Sequence, residues 1–83
     1  MNKEINFEHL NIMCKKEELL GIYGWHIINI FECFCGKGYI ISERSDEMRT
    51  FEIFISCKDC CAIYKNNGFI DESCLERYMD SCK

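Results

Sequence analysis

The sequence predicts a single α+β domain, residues 1–83, in which a three-stranded antiparallel sheet packs with an amino-terminal and a carboxy-terminal helix. Three observations carry this expectation. The middle of the chain holds three runs rich in β-branched and aromatic residues, and the flanking segments place apolar residues at helical spacing. Eight cysteines supply a staple for a core that, at this length, stabilises by only roughly a few kcal/mol.

From Phe7 to Leu20 the apolar positions Phe7, Leu10, Ile12, Met13, Leu19 and Leu20 fit a helix or two short helical turns, stopped at Gly21. Gly21 to Gly24 reads as a connection, and Trp25 to Phe34 as a strand running into the first cysteine pair. Tyr39 to Glu43 is the second strand, Arg44 to Met48 a charged loop, and Thr50 to Cys57 the third strand, with Phe51, Ile53, Ile55 and Cys57 on one face. A short strand is expected at Ala62 to Lys65, before the turn signal Asn66-Asn67-Gly68. The last helix begins near Asp71, whose carboxylate can cap its first turn, with Ile70 and Leu75 placed as a hydrophobic staple. Leu75, Tyr78, Met79 and Cys82 then share an inward face, and Glu72, Glu76 and Asp80 line an acidic one.

The cysteines carry the chemistry. Tetrahedral zinc takes four thiolate or imidazole ligands, and small domains supply them as two close pairs separated by strands. Cys33 and Cys35 form one pair, and Cys57 and Cys60 the other, the arrangement of a zinc ribbon, with Cys61 an alternative to Cys60 by spacing. Gly36 and Gly38 let the chain bend so that amides face thiolate sulfur. Such a closed set holds one structural Zn2+, leaving no position for a reacting water. Cys14, Cys74 and Cys82 contain no close ligand pair and read as reduced core cysteines.

Compartment and charge narrow the function. The amino terminus has no apolar run after a basic start and no stretch is long enough to cross a bilayer, so a cytoplasmic chain with reduced thiols is expected, and no membrane contact. A formal net charge of −4 argues against a general phosphate-binding surface and hence against direct nucleic-acid binding. The acidity lies outside residues 33–65, which carry five charges of each sign. Trp25, Tyr23 and Phe31 read as core aromatics, and His26 as a hydrogen-bonded structural histidine. No base, orienting group or phosphate loop accompanies the thiols, so no catalytic residues and no enzyme activity are expected.

The run Phe31-Glu-Cys-Phe-Cys-Gly-Lys-Gly-Tyr-Ile-Ile-Ser-Glu43, the charged loop after it, Phe51-Glu-Ile-Phe-Ile-Ser-Cys-Lys-Asp-Cys60 and Tyr64 resemble small zinc-ribbon proteins of bacteriophage and prophage genomes. These include zinc-binding anti-CRISPR inhibitors of Cas9 (type II-A), which the chain also resembles in size and acidity. Phe34 stands where such ribbons often carry proline. The resemblance implies zinc on Cys33, Cys35, Cys57 and Cys60, a bacterial host cytoplasm, and Cas9 as the target. The expected partner is thus a protein with a basic surface, met by Glu72, Glu76 and Asp80, with Glu17 and Glu18 as secondary contacts, and the chain itself is expected to be a monomer. The alternative is a zinc-ribbon nucleic-acid or transcription accessory module using Lys37, Lys58 and Lys65; a redox protein is the third reading.

Overall fold

The computed structural model describes residues 3–19 and 21–81. Five strands form one mixed sheet in sequential order: β1 (Ile12–Leu19), β2 (Trp25–Glu32), β3 (Tyr39–Ser45), β4 (Thr50–Ile55) and β5 (Gly68–Phe69). The first four are antiparallel to their neighbours, and β5 runs parallel to β4. Two helices complete the fold, α1 (Lys58–Ile63) between β4 and β5, and α2 (Glu72–Ser81) after β5.

The three strands read in the middle of the chain are present as β2, β3 and β4, but the sheet has five strands, not three. The expected amino-terminal helix is replaced by a 3-10 turn at Phe7–His9 and the strand β1. Lys15, Lys16, Glu17 and Glu18 favour a helix intrinsically, yet no apolar residue falls between Cys14 and Leu19 to give such a helix a buried face. As an edge strand the segment needs no buried face, because its backbone pairs with β2 from Ile12 to Leu19, with a bulge at Met13. In place of the strand expected at Ala62 to Lys65, Ala62 and Ile63 end helix α1 and Tyr64 makes an isolated bridge to Lys3. Leu20 and Cys82 lie outside the described residues, as does the Tyr23 side chain.

Strand alternation sends apolar side chains to both faces. On one face Phe31, Cys33, Ile40, Ile55 and Cys60 are buried, and Ile5, Phe7, Leu10 and Tyr64 pack over them. The amino-terminal segment is held there by bonds from Lys3 N to the Ile63 carbonyl (2.9 Å) and from Lys65 N to the Lys3 carbonyl (2.7 Å). On the other face Ile28, Ile30, Ile41 and Ile70 are buried beneath Leu75, Tyr78 and Met79 of α2. Trp25, expected in the core, is 43% exposed, because the covering elements reach only the opposite half of its sheet face.

Two polar contacts fix α2. Cys74 N donates to Asp71 Oδ1 at 2.9 Å, the expected cap, and Ile70 and Leu75 share one apolar cluster as the expected staple. Farther along, the Tyr78 hydroxyl donates to Glu43 Oε2 at 3.0 Å, while His26 Nε2 meets Glu43 Oε1 at 2.8 Å. These bonds satisfy a carboxylate that stands directly opposite Glu52 across β3 and β4, a like-charge pairing. Burial, and then Glu43, push the Tyr78 hydroxyl up to about 12, so it stays a donor.

The Cys74 amide holds the Asp71 carboxyl below the usual carboxylate range. A depressed folded-state pKa gives stability that is complete above the unfolded value of about 3.9 and is lost as pH falls through the folded value. Asp71→Ala should therefore lower the melting temperature at pH 7, and the gap from the parent should close progressively below about pH 4. Asp71→Asn, which keeps the accepting oxygen, should lose less; thermal unfolding followed by circular dichroism across pH reads both effects.

Candidate metal centre

Two turns meet at one end of the sheet. The first leaves β2 and returns as β3, carrying Cys33 and Cys35; the second leaves β4 and enters α1, carrying Cys57 and Cys60. In the first turn Gly36 N donates to the Cys33 carbonyl (2.9 Å) with Gly36 at φ +74°, where side chains are disfavoured. Lys37 N then points at Cys35 Sγ, 3.4 Å away. A Cβ on Gly38 would lie 2.9 Å from Ser56 Oγ and 3.1 Å from Cys57 Cβ, so only glycine lets the turns approach this closely.

Ser56, which the sequence reading passed over, ties the turns together. Its amide donates to the Tyr39 carbonyl (2.9 Å), and its Oγ accepts from Tyr39 N (2.7 Å). A serine beside a cysteine carries no sequence signal; only the cross-strand register shows its role. In the second turn Cys57 precedes the first residue of α1 and Cys60 lies within its first turn, so helical winding brings both to one side.

The ligand atoms of Cys33, Cys35, Cys57 and Cys60 all lie within 4.8 Å of one another. Cys35 Sγ is 3.6 Å from Cys33 Sγ and 3.3 Å from Cys57 Sγ. Tetrahedral zinc with Zn–S bonds of about 2.3 Å separates its sulfurs by about 3.8 Å. The four thiols can therefore close on one metal ion with small side-chain adjustments. Cys61 Sγ instead faces Asn66 Oδ1 at 3.4 Å, and Asn66 Nδ2 donates to the Cys61 carbonyl (2.8 Å).

The four thiols differ in environment. Cys33 and Cys60 are each 4% exposed and rest on the core, and burial pushes both thiols up. Cys35 is exposed, and the Lys37 amide and the Cys57 thiol lower it to about 7. Without metal, two buried sulfurs favour protonation; a divalent cation reverses this by binding thiolate. Phe34, in the position where proline is common in such turns, stacks on Tyr64 with ring centroids 4.6 Å apart.

The other expected site residues are dispersed. Glu72, Glu76 and Asp80 are exposed along α2. Glu17 and Glu18 are adjacent on β1 and point to opposite faces, Glu17 opposite Ile27 and Glu18 opposite His26. Cys74 is exposed and Cys14 is disulfide-bonded, so neither is the reduced core cysteine that the sequence suggests. Among the described residues no helix is long and apolar enough to cross a membrane.

Cys60→Ser should abolish stoichiometric metal binding and leave the domain largely unfolded, whereas Cys61→Ser should keep the parent metal content and melting temperature within a few degrees. Native mass spectrometry with thermal unfolding, with and without a chelator, measures this. Protein-family models, characterised proteins and solved structures were compared with this chain, and no match was found.

Proposed function

We propose that this chain is a non-enzymatic, zinc-stabilised binding protein that docks an acidic face on the basic surface of a nucleic-acid-handling protein. Cas9 is the target that the chain's likeness to zinc-binding anti-CRISPR inhibitors, in size and acidity, implies. Zinc suits a set of four thiolates, and with no open position its role is to hold the two turns together.

The observation that supports docking is the sidedness of charge. Glu72, Glu76 and Asp80 are exposed along α2. The register turns Glu18, Glu43 and Glu52 to the same side of the sheet as the buried Ile28, Ile30 and Ile41 over which α2 packs. Glu43 is held by His26 and Tyr78 inside this face, and the acidic residues exposed along α2 are Glu72, Glu76 and Asp80, with Glu18 on the same side of the sheet. Glu17 belongs to the opposite face. Lys16 and Arg77 also lie on this side, and the acidic excess that remains speeds encounter with a basic surface and repels acidic ones.

The alternative, a zinc-ribbon module for nucleic acid or transcription, draws on a different end of the molecule. Lys37 and Lys58 are exposed beside the cysteine turns, near the stacked Phe34 and Tyr64.

Titrating the zinc-loaded protein into guide-loaded Cas9 should inhibit cleavage of a matched DNA target near stoichiometric ratios. Reversing Glu72, Glu76 and Asp80 to lysine together should weaken inhibition by about tenfold or more at low salt, and by less as salt rises. Uninhibited cleavage at every ratio rules out Cas9, and an unaffected triple variant rules out the acidic face. Tight, salt-sensitive gel shifts of DNA or RNA by the isolated protein would support the alternative.

A further inference from the structure

We infer that two copies of this chain pair antiparallel through the outer edge of β1, in one specific register, to form a twofold dimer with a continuous sheet. Strand β1 is the first in the sheet order, and among the described residues no strand pairs with its outer side. It is eight residues long and contains no proline. Such an edge is a template for another strand unless something blocks it.

Charged side chains ordinarily provide the block, and the segment Cys14-Lys15-Lys16-Glu17-Glu18-Leu19 holds four. Their order makes the difference. Four charges of one sign would repel a second copy, whereas two lysines followed by two glutamates let an inverted copy set lysine opposite glutamate at two of the four positions.

Symmetry restricts the possible registers. In an antiparallel pair, residues directly opposite each other point to the same face. A twofold axis perpendicular to the sheet keeps each face on its own side, so some residue must stand opposite its own copy. Centring on Lys16 places Lys15 opposite Glu17 of the partner subunit twice, with both side chains on the face shared by Asn29 and Ile27. It also brings Leu19 opposite Met13 of the partner subunit at the bulge; these apolar side chains are 57% and 52% exposed in the single chain. The one like-charge contact is Lys16 against the partner's Lys16, and each has Glu18 of the partner subunit diagonally across on the same face.

The neighbouring registers are worse. Centring on Glu17 pairs Lys16 with Glu18 of the partner subunit twice, but it opposes the two Glu17 side chains and sets Lys15 against the partner's Leu19. Centring on Lys15 opposes the two Lys15 side chains and leaves Glu17 facing Met13 of the partner subunit. Of the three, the Lys16 register is the one that joins opposite charges and also sets the exposed Leu19 against the partner's Met13, with Cys14 opposite Glu18 of the partner subunit as its mismatch. Leu19 is already paired with Trp25, so the contact also extends an apolar row across the subunit boundary.

Sedimentation velocity of the metal-loaded protein across the micromolar range should show a monomer–dimer equilibrium. Glu17→Lys should weaken dimerisation by about tenfold or more, because both favourable pairs become lysine against lysine, and adding Lys15→Glu to it should restore association. Lys16→Val should tighten the dimer by removing the axial repulsion. Circular dichroism and metal content should match the parent in all three. A parent that is monomeric throughout overturns the inference, as does a dimer that Glu17→Lys leaves intact or that the charge swap fails to restore.

Discussion

Ile40 and Ile41 are consecutive in β3, point to opposite faces of the sheet, and are both fully buried. The rest of the structure depends on this pair. Ile40 lies in the cluster that carries Cys33 and Cys60, and Ile41 in the cluster that receives α2. One strand therefore supports both the candidate metal centre and the acidic helix. Burying an isoleucine is worth roughly 1.5–3 kcal/mol, and among the described residues the large side chains that are completely enclosed are Ile30, Ile40, Ile41 and Ile55. Neither thin layer has much to spare, which is why a cross-link between the turns at one end can decide whether the sheet forms at all.

The parts of the fold legible in the sequence are those where a local pattern and the tertiary environment agree. Strands β2, β3 and β4 are apolar and β-branched because they are central, and Asp71 with Ile70 and Leu75 marks the start of α2 by chemistry that operates within a single turn. The cysteine pairs were legible because ligand spacing is itself local. The segment from Phe7 to Leu20 was not, since its charged half is helix-favouring and is held extended only by β2. Ala62 to Lys65 misled because a Cys-x-x-Cys pair suits a knuckle followed by a strand as well as one leading into a helical turn. The disulfide at Cys14 was hidden for another reason: the expectation of reduced thiols came from the inferred compartment, not from any pattern near Cys14.

Exposure is as informative as burial in this chain. Trp25, Leu19 and Phe51 lie on a single sheet face, at the end away from the cysteines, with 43%, 57% and 55% of their surface exposed. The amino-terminal segment and α1 are anchored at the cysteine end of that face by Ile5, Phe7, Leu10 and Cys60, and the Phe7 ring reaches Phe51 edge-on, with centroids 6.3 Å apart. Trp25 and Leu19 lie beyond the row of Glu17, Ile27 and Arg44, adjacent to β1 and without a covering element among the described residues. An edge strand with self-complementary charge beside such a surface has more to gain from a second copy than the strand alone would, since Trp25 and Leu19 are then flanked on a further side.

Pairing through β1 also changes the acidic face. A twofold axis perpendicular to the sheet leaves both copies of α2 on the same side, so the stripe of Glu72, Glu76 and Asp80 appears twice on one surface while the two sets of cysteine turns lie toward opposite ends. Two acidic stripes held by one sheet would act on a basic partner as linked sites: once the first engaged, the second would meet its target at a high effective concentration, provided the spacing fits. The gain requires no new contact within either chain, only that the edge remain intact. The candidate metal centre, the acidic helix α2 and the edge strand β1 are thus separate surfaces joined through β2 and β3. A metal on the four cysteines would bear on all of them, because the shared isoleucine layers are thin and the two turns meet at one end of the sheet.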